Sequence, residues 1–174
     1  NTTSISLVDT ADGGSATLQV SGTADQTIAG TIDGDDRHHG TLVINNGANE
    51  ATFSGIIGGT KALSDIEVGY TDVSGGAVFS SNVNADSIHV TGSADPEDND
   101  SLVTFKADVT AAIILDDNET SADVEFSGST AQTLTGSING NATGHGQVLF
   151  DSNTTVTGNI GETLLNTITV AAGK

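Results

Sequence analysis

The chain has 174 residues, with 23 acidic side chains against 4 basic ones and a formal charge of −19. Four Lys and Arg cannot neutralise a row of phosphates, which argues against nucleic acid as a partner and against binding to an anionic membrane surface. With no Cys there is no disulfide framework and no thiolate chemistry, and the longest apolar run, residues 111–115, falls far short of the roughly 20 residues of a membrane span.

Leu, Ile, Val and Phe make up about a quarter of the chain, enough for a folded protein with a thin core. The chain lacks an initiator Met, and no charged-then-apolar leader precedes Asn1, so it reads as a mature, processed chain or an excerpt of a longer one. Thr and Val favour pleated structure, whereas Gly, Asn and Asp favour tight turns. Apolar residues never recur at the spacing of an amphipathic helix. The expectation is all-β.

In chain order the alternating runs are 15–20, 27–32, 40–44, 50–57, 63–68, 75–83, 86–90, 102–109, 111–115, 121–128, 132–138, 146–150, 154–160 and 166–170. Most place small or polar residues between apolar ones, as half-buried strands do. Residues 95–101 hold the sole Pro and four acidic side chains and read as an exposed loop.

The repeats say more than any one run. Residues 15–69 align with 121–171. At an offset of 106, Gly22, Gln26, Gly30, Ile32, Gly34, His39 and Gly40 fall on Gly128, Gln132, Gly136, Ile138, Gly140, His145 and Gly146. Beneath this duplication runs a shorter beat, with Phe53, Phe79, Phe105, Phe126 and Phe150 spaced 26, 26, 21 and 24 apart. A period of about two dozen residues built from short strands suits a right-handed parallel β-helix of about seven coils with the Phe side chains stacked inside. The alternative is an antiparallel β-sandwich or jelly roll. Either way residues 1–174 read as one domain.

The unit seen in 51–68 and 154–170 resembles the coils of bacterial surface-protein β-helices: autotransporter passengers, rickettsia-type surface antigens and S-layer proteins. The resemblance is one of rhythm and composition. It implies an extracellular or surface-displayed structural or adhesive protein.

Three acidic turns are candidates for Ca²⁺, a hard cation that takes 6–8 oxygens. They are Asp33, Asp35 and Asp36; then Asp95, Glu97, Asp98 and Asp100; then Asp116, Asp117 and Glu119, with Asp123 beside them. No EF-hand loop or RTX nonapeptide is present, but a charge of −19 on a compact chain is costly self-repulsion that a bound cation would relieve. His38, His39, His89 and His145 read as structural. The sequons at Asn99, Asn118 and Asn141 fall in loops and are candidate glycan sites. No catalytic motif stands out. Strand-like segments at 2–8 and 166–173 imply ends that add to another copy, giving a homopolymer such as a filament, surface layer or matrix. The alternative is an adhesin-type binding module. A polysaccharide-cleaving β-helix would require paired carboxylates in a groove.

Overall fold

In the computed structural model, residues 4–9, 15–70 and 72–173 are described; Thr2, Thr3 and the Asn1 sequon lie outside them. Each alternating run places every second side chain on one side of a pleated strand. Gly-containing corners then turn the chain before the run can extend. Repeated, this winds the chain through three faces per turn for seven turns, a parallel β-solenoid with no helix among the described residues. Parallel pairing throughout the strand ladders excludes the antiparallel sandwich.

The first face carries β1 (Ser4–Leu7), β4 (Thr31–Gly34), Ile57, the start of β9 (Val83–Thr91), the start of β11 (Val109–Asp116), β13 (Gln132–Thr135) and β16 (Thr154–Val156). The second carries β2 (Thr17–Val20), β5 (Thr41–Ile44), β7 (Leu63–Val68), the remainders of β9 and β11, β14 (Ile138–Gly140) and Ile160. The third carries β3 (Gln26–Ile28), β6 (Glu50–Phe53), β8 (Gly76–Phe79), β10 (Ser101–Phe105), β12 (Ala122–Phe126), β15 (Gln147–Phe150) and β17 (Thr167–Val170). Because β9 and β11 each span two faces, the ladders of the first and second faces merge into one eight-stranded sheet, apart from β1 and β4, which pair as a separate two-stranded sheet.

Register stacks a main inward row on each face, and the second and third faces bury a further one, through Ile44, Val68 and Val90 and through Ala77, Val103 and Val124. On the first face the main row runs Ile5, Ile32, Ile57, Val83, Val109, Leu134, Val156. On the second it runs Leu18, Leu42, Ile66, Ile88, Ile113, Ile138, Ile160. The third is the anticipated aromatic ladder, opened by Ile28 and closed by Val170, with ring centroids 5.0, 5.5, 5.4 and 5.3 Å apart. Phe53, Phe79, Phe105 and Phe126 are fully buried. Such stacked pairs add about 0.5–1.5 kcal/mol each beyond the area they bury.

Corners need glycine where backbones of adjacent turns touch. A Cβ on Gly55 would lie 2.1 Å from the Gly30 carbonyl oxygen, and one on Gly158 would lie 2.1 Å from that of Gly136. These two contacts are equivalent under the internal duplication, yet they occupy different corners. Every element of the first copy reappears one face further on in the second. β2 and β5 of the second face correspond to β12 and β15 of the third, and β3 of the third face corresponds to β13 of the first.

Candidate functional site

The acidic turns sit at two of the three corners. Asp33, Asp35 and Asp36 lie where the first face passes to the second, in the second turn. Asp95, Glu97, Asp98 and Asp100 lie where the second passes to the third, in the fourth turn, and Asp116, Asp117 and Glu119 occupy the same corner one turn later. Stacking thus brings the second and third groups together and leaves the first apart.

Most of these carboxylates accept hydrogen bonds that fix the turns. Asp33 Oδ1 accepts from the Thr60 N–H at 2.9 Å, one turn on. Asp35 Oδ1 takes His39 Nδ1 at 3.0 Å, which holds its carboxyl below the usual range and raises the His39 imidazole. Asp36 is lowered by the Arg37 N–H at 2.7 Å and by Lys61 Nζ at 3.0 Å. Asp95 Oδ1 accepts from the Glu97 N–H and Asp98 Oδ2 from the Ser93 hydroxyl. Asp100 Oδ1 holds the Ser121 N–H at 2.9 Å, and Asp117 Oδ1 the Ala122 N–H at 2.8 Å. Asp116 is shared between His145 Nδ1 (3.0 Å) and Asn141 Nδ2 (2.9 Å), while Glu119 is exposed. His38 pairs with Asp86. The same device recurs outside the three groups: Asp25 and Asp108 each accept an N–H from the next turn, at 3.0 and 2.8 Å.

The fourth acidic residue of the third group, Asp123, also lies at the shared corner. Asp123 opens the outer surface of β12, and its Oδ1 is buried without a hydrogen-bond partner. Burial, then the charges of Asp100 and Asp117, push its carboxyl up to about 6, partly offset by Gln147. Asp123 also departs from the repeat, standing where the first copy has Thr17. Asp100 and Asp117 lie near enough to Asp123 for their charges to bear on it. Among the described residues, though, no group of three or more His, Asp or Glu is arranged around a common metal position.

The outer surface of the third face is grooved. A hollow of about 380 Å³ lies over β12, β15 and β17, lined among others by Leu102, Asp123, Glu125, Gln147 and Leu149. Asp123 and Glu125 alternate on one strand and point the same way, about 7 Å apart along it. A smaller hollow of about 180 Å³ adjoins it at Leu102 and Thr104.

Of the sequons, Asn99 is exposed, whereas the Asn118 amide donates to the Gly92 carbonyl at 2.6 Å and that of Asn141 to Asp116. The last turn is open. Leu164, Ile168 and Val170 are 62, 50 and 60% exposed, and Phe150, Val156, Ile160 and Val170 line a hollow of about 310 Å³.

These features define a parallel β-solenoid built on a β-helix repeat. No protein family, no curated protein sequence and no solved structure matches the chain.

Proposed function

We propose that the chain is a structural solenoid displayed outside the cell, whose copies associate through their ends into a filament, surface layer or matrix. The observation that carries this reading is the fold itself, a parallel β-solenoid in which each turn pairs with the turns above and below it. The flanks of that stack are strongly acidic. Exposed strand edges and apolar ends are the features that capture another β-chain, and flank-to-flank approach of copies bearing −19 is repelled. The sequons and the surface-protein rhythm support an extracellular setting. Ca²⁺ at the corner of Asp100, Asp117 and Asp123 would relieve part of the repulsion. Sedimentation and electron microscopy of the purified chain, with Ca²⁺ and with chelator, test the proposal. Concentration-dependent assembly is expected, stronger with Ca²⁺; a chain that stays monomeric at high concentration in both conditions refutes it.

A second reading, a polysaccharide-cleaving groove, is favoured by the Asp123–Glu125 pair. Their spacing falls in the range of glycosidase carboxylates, and a carboxyl raised by burial, as that of Asp123 is, suits a general acid. Against it, among the described residues no aromatic or basic side chain lines that hollow to hold a sugar. Reducing ends released from acidic and neutral glycans by the parent chain, and lost in Asp123→Asn and Glu125→Gln, would favour it over assembly.

A further inference from the structure

We infer that the second face carries a binding site for an amino sugar, built from Asp65, Glu67, Tyr70 and His89 in the third and fourth turns. The site is independent of assembly and stands whether or not copies associate.

Alternation along β7 turns Ile66 and Val68 inward and leaves Asp65 and Glu67 together on the outer surface, about 7 Å apart along the strand. Register sets His89 of the next turn against Glu67 and Ser87 against Asp65, one strand spacing of about 4.8 Å away. The Ser87 hydroxyl donates to Asp65 Oδ1 at 2.9 Å and steadies it. Beyond Val68 the chain leaves the face at Gly69, where φ is +77° and a Cβ would lie 2.1 Å from the Thr91 carbonyl oxygen. That left-handed step opens a tight bridge, in which the Tyr70 and Val73 N–H groups each donate to the other's carbonyl oxygen, at 2.7 and 3.0 Å. The bridge holds Tyr70, 61% exposed, at the edge of a hollow of about 210 Å³ lined by Asp65, Glu67, Gly69, Tyr70, His89 and Thr91.

The solenoid itself does not call for these side chains. In the internal duplication, at an offset of 102 here, Leu63, Ile66 and Val68 recur as Leu165, Ile168 and Val170, so the inward residues are kept. Asp65, Glu67 and Tyr70 instead correspond to Thr167, Thr169 and Ala172. The same strand is thus built elsewhere without the acids or the ring. A tyrosine left in water adds nothing to the core, whereas its rigid ring with a polar tip suits contact with a partner.

Charge and shape together select the ligand. Asp65, Glu67 and, one turn on beside Thr91, Asp116 repel anionic groups and attract an ammonium. The face of Tyr70 attracts the same cation and packs against an apolar surface. The His89 imidazole and the Thr91 hydroxyl can exchange hydrogen bonds with hydroxyl groups. A pyranose with a free amino group meets all of these: ammonium toward the carboxylates, C–H face on the ring, hydroxyls toward His89 and Thr91. A lysine side chain would engage the carboxylates and the ring but offer nothing to His89 and Thr91.

Tyr70 reports on its own site, because the chain has one Tyr and no Trp. Its fluorescence is expected to change saturably with a glucosamine hexamer at physiological salt, where diffuse attraction to the −19 charge is screened. Cellohexaose, the neutral counterpart, should bind about tenfold more weakly, and a galacturonate hexamer should not bind. In calorimetry, Tyr70→Ala and Glu67→Gln should each weaken the glucosamine hexamer about tenfold, and Tyr70→Phe much less. Asp123→Asn with Glu125→Gln removes a comparable pair of carboxylates from the third face and should leave the affinity unchanged. Melting curves check that each variant is folded. Equal affinity in the parent, Tyr70→Ala and Glu67→Gln, or an equal loss in the third-face variant, overturns the site. Cellohexaose binding as tightly as the glucosamine hexamer overturns the choice of an amino sugar. Hexalysine binding more tightly than the hexamer, with the same dependence on Tyr70, overturns it in favour of a basic protein.

Discussion

Replacing Asp123 by Asn is expected to stabilise the protein at neutral pH. Asp123 is half-buried, with an unpartnered Oδ1, and the charges of Asp100 and Asp117 add to the cost of ionising it. Its carboxyl titrates near 6 in the folded chain, against an ordinary 3.8 when unfolded. Between those values the folded state holds a proton that the unfolded state has released. Stability from this group is therefore full below about pH 4, declines as pH rises toward 6, and stays diminished above. A difference of about two pH units corresponds to about 3 kcal/mol, and the half-exposed position lets solvent screen this to about 1–2 kcal/mol. Asn keeps the shape without the charge. In cation-free buffer, urea melts of parent and variant should coincide near pH 4, with the variant more stable by about 1–2 kcal/mol at pH 7. A variant less stable than the parent at pH 7 refutes the reasoning. A gain at pH 7 that reverses on adding Ca²⁺ would show the carboxylate to be a ligand.

Phe105→Ala removes a fully buried ring stacked on both sides and should cost about 4–6 kcal/mol in urea denaturation, whereas Phe150→Ala, at the end of the aromatic run, should cost visibly less. Gly58→Ala places a Cβ 2.0 Å from the Asn84 carbonyl oxygen at φ +63°, while Gly144→Ala meets nothing at φ +88°. Thermal melts should show a loss above about 2 kcal/mol for the first and about 1 kcal/mol for the second. Raising NaCl from low to physiological strength should raise the melting temperature, because screening weakens the repulsion of −19 charges; an unchanged or lower melt would show the acidic turns to be locally neutralised. Millimolar Ca²⁺ should raise it beyond what matched ionic strength gives, and Asp100→Asn with Asp117→Asn should abolish that excess.

The Phe spacing made the coil legible because a row of identical large side chains forces a single period on everything between them. The alternation of TLQV and LSDIEV likewise marked β2 and β7 directly. Longer runs misled in a consistent way. Residues 27–32 and 50–57 read as single strands, but each turns a corner, at Gly30 and at Gly55, and at Gly55 only a missing Cβ lets the backbone pass that of Gly30. Local alternation cannot register such a corner, because its cause lies in the next turn. The acidic turns were visible as clusters, but which of them meet depends on which corner each occupies. That is a property of winding, and it separated Asp33–Asp36 from the other two groups.

The internal duplication shows why winding was hard to read. Its offset of 106 residues is not a whole number of turns: β2 to β12 is thirteen faces, or four turns and one face. Equivalent segments therefore occupy different faces, with their local devices intact. Gly40 and Gly146 both back onto a leucine of the preceding turn, Leu7 and Leu115, and His39 and His145 each bind an Asp. A strand and its corner can be transplanted in this way only if the three faces offer nearly the same neighbours above, below and across the core. The aromatic ladder confirms the rule by its exceptions, since Val20 and Ile44 of the second face correspond to Phe126 and Phe150 of the third. The larger side chains appear where the register already held Phe79 and Phe105. The physical unit of this protein is thus the single face with its corner, about eight residues. The turn of two dozen is what three such units make when they close around a shared core.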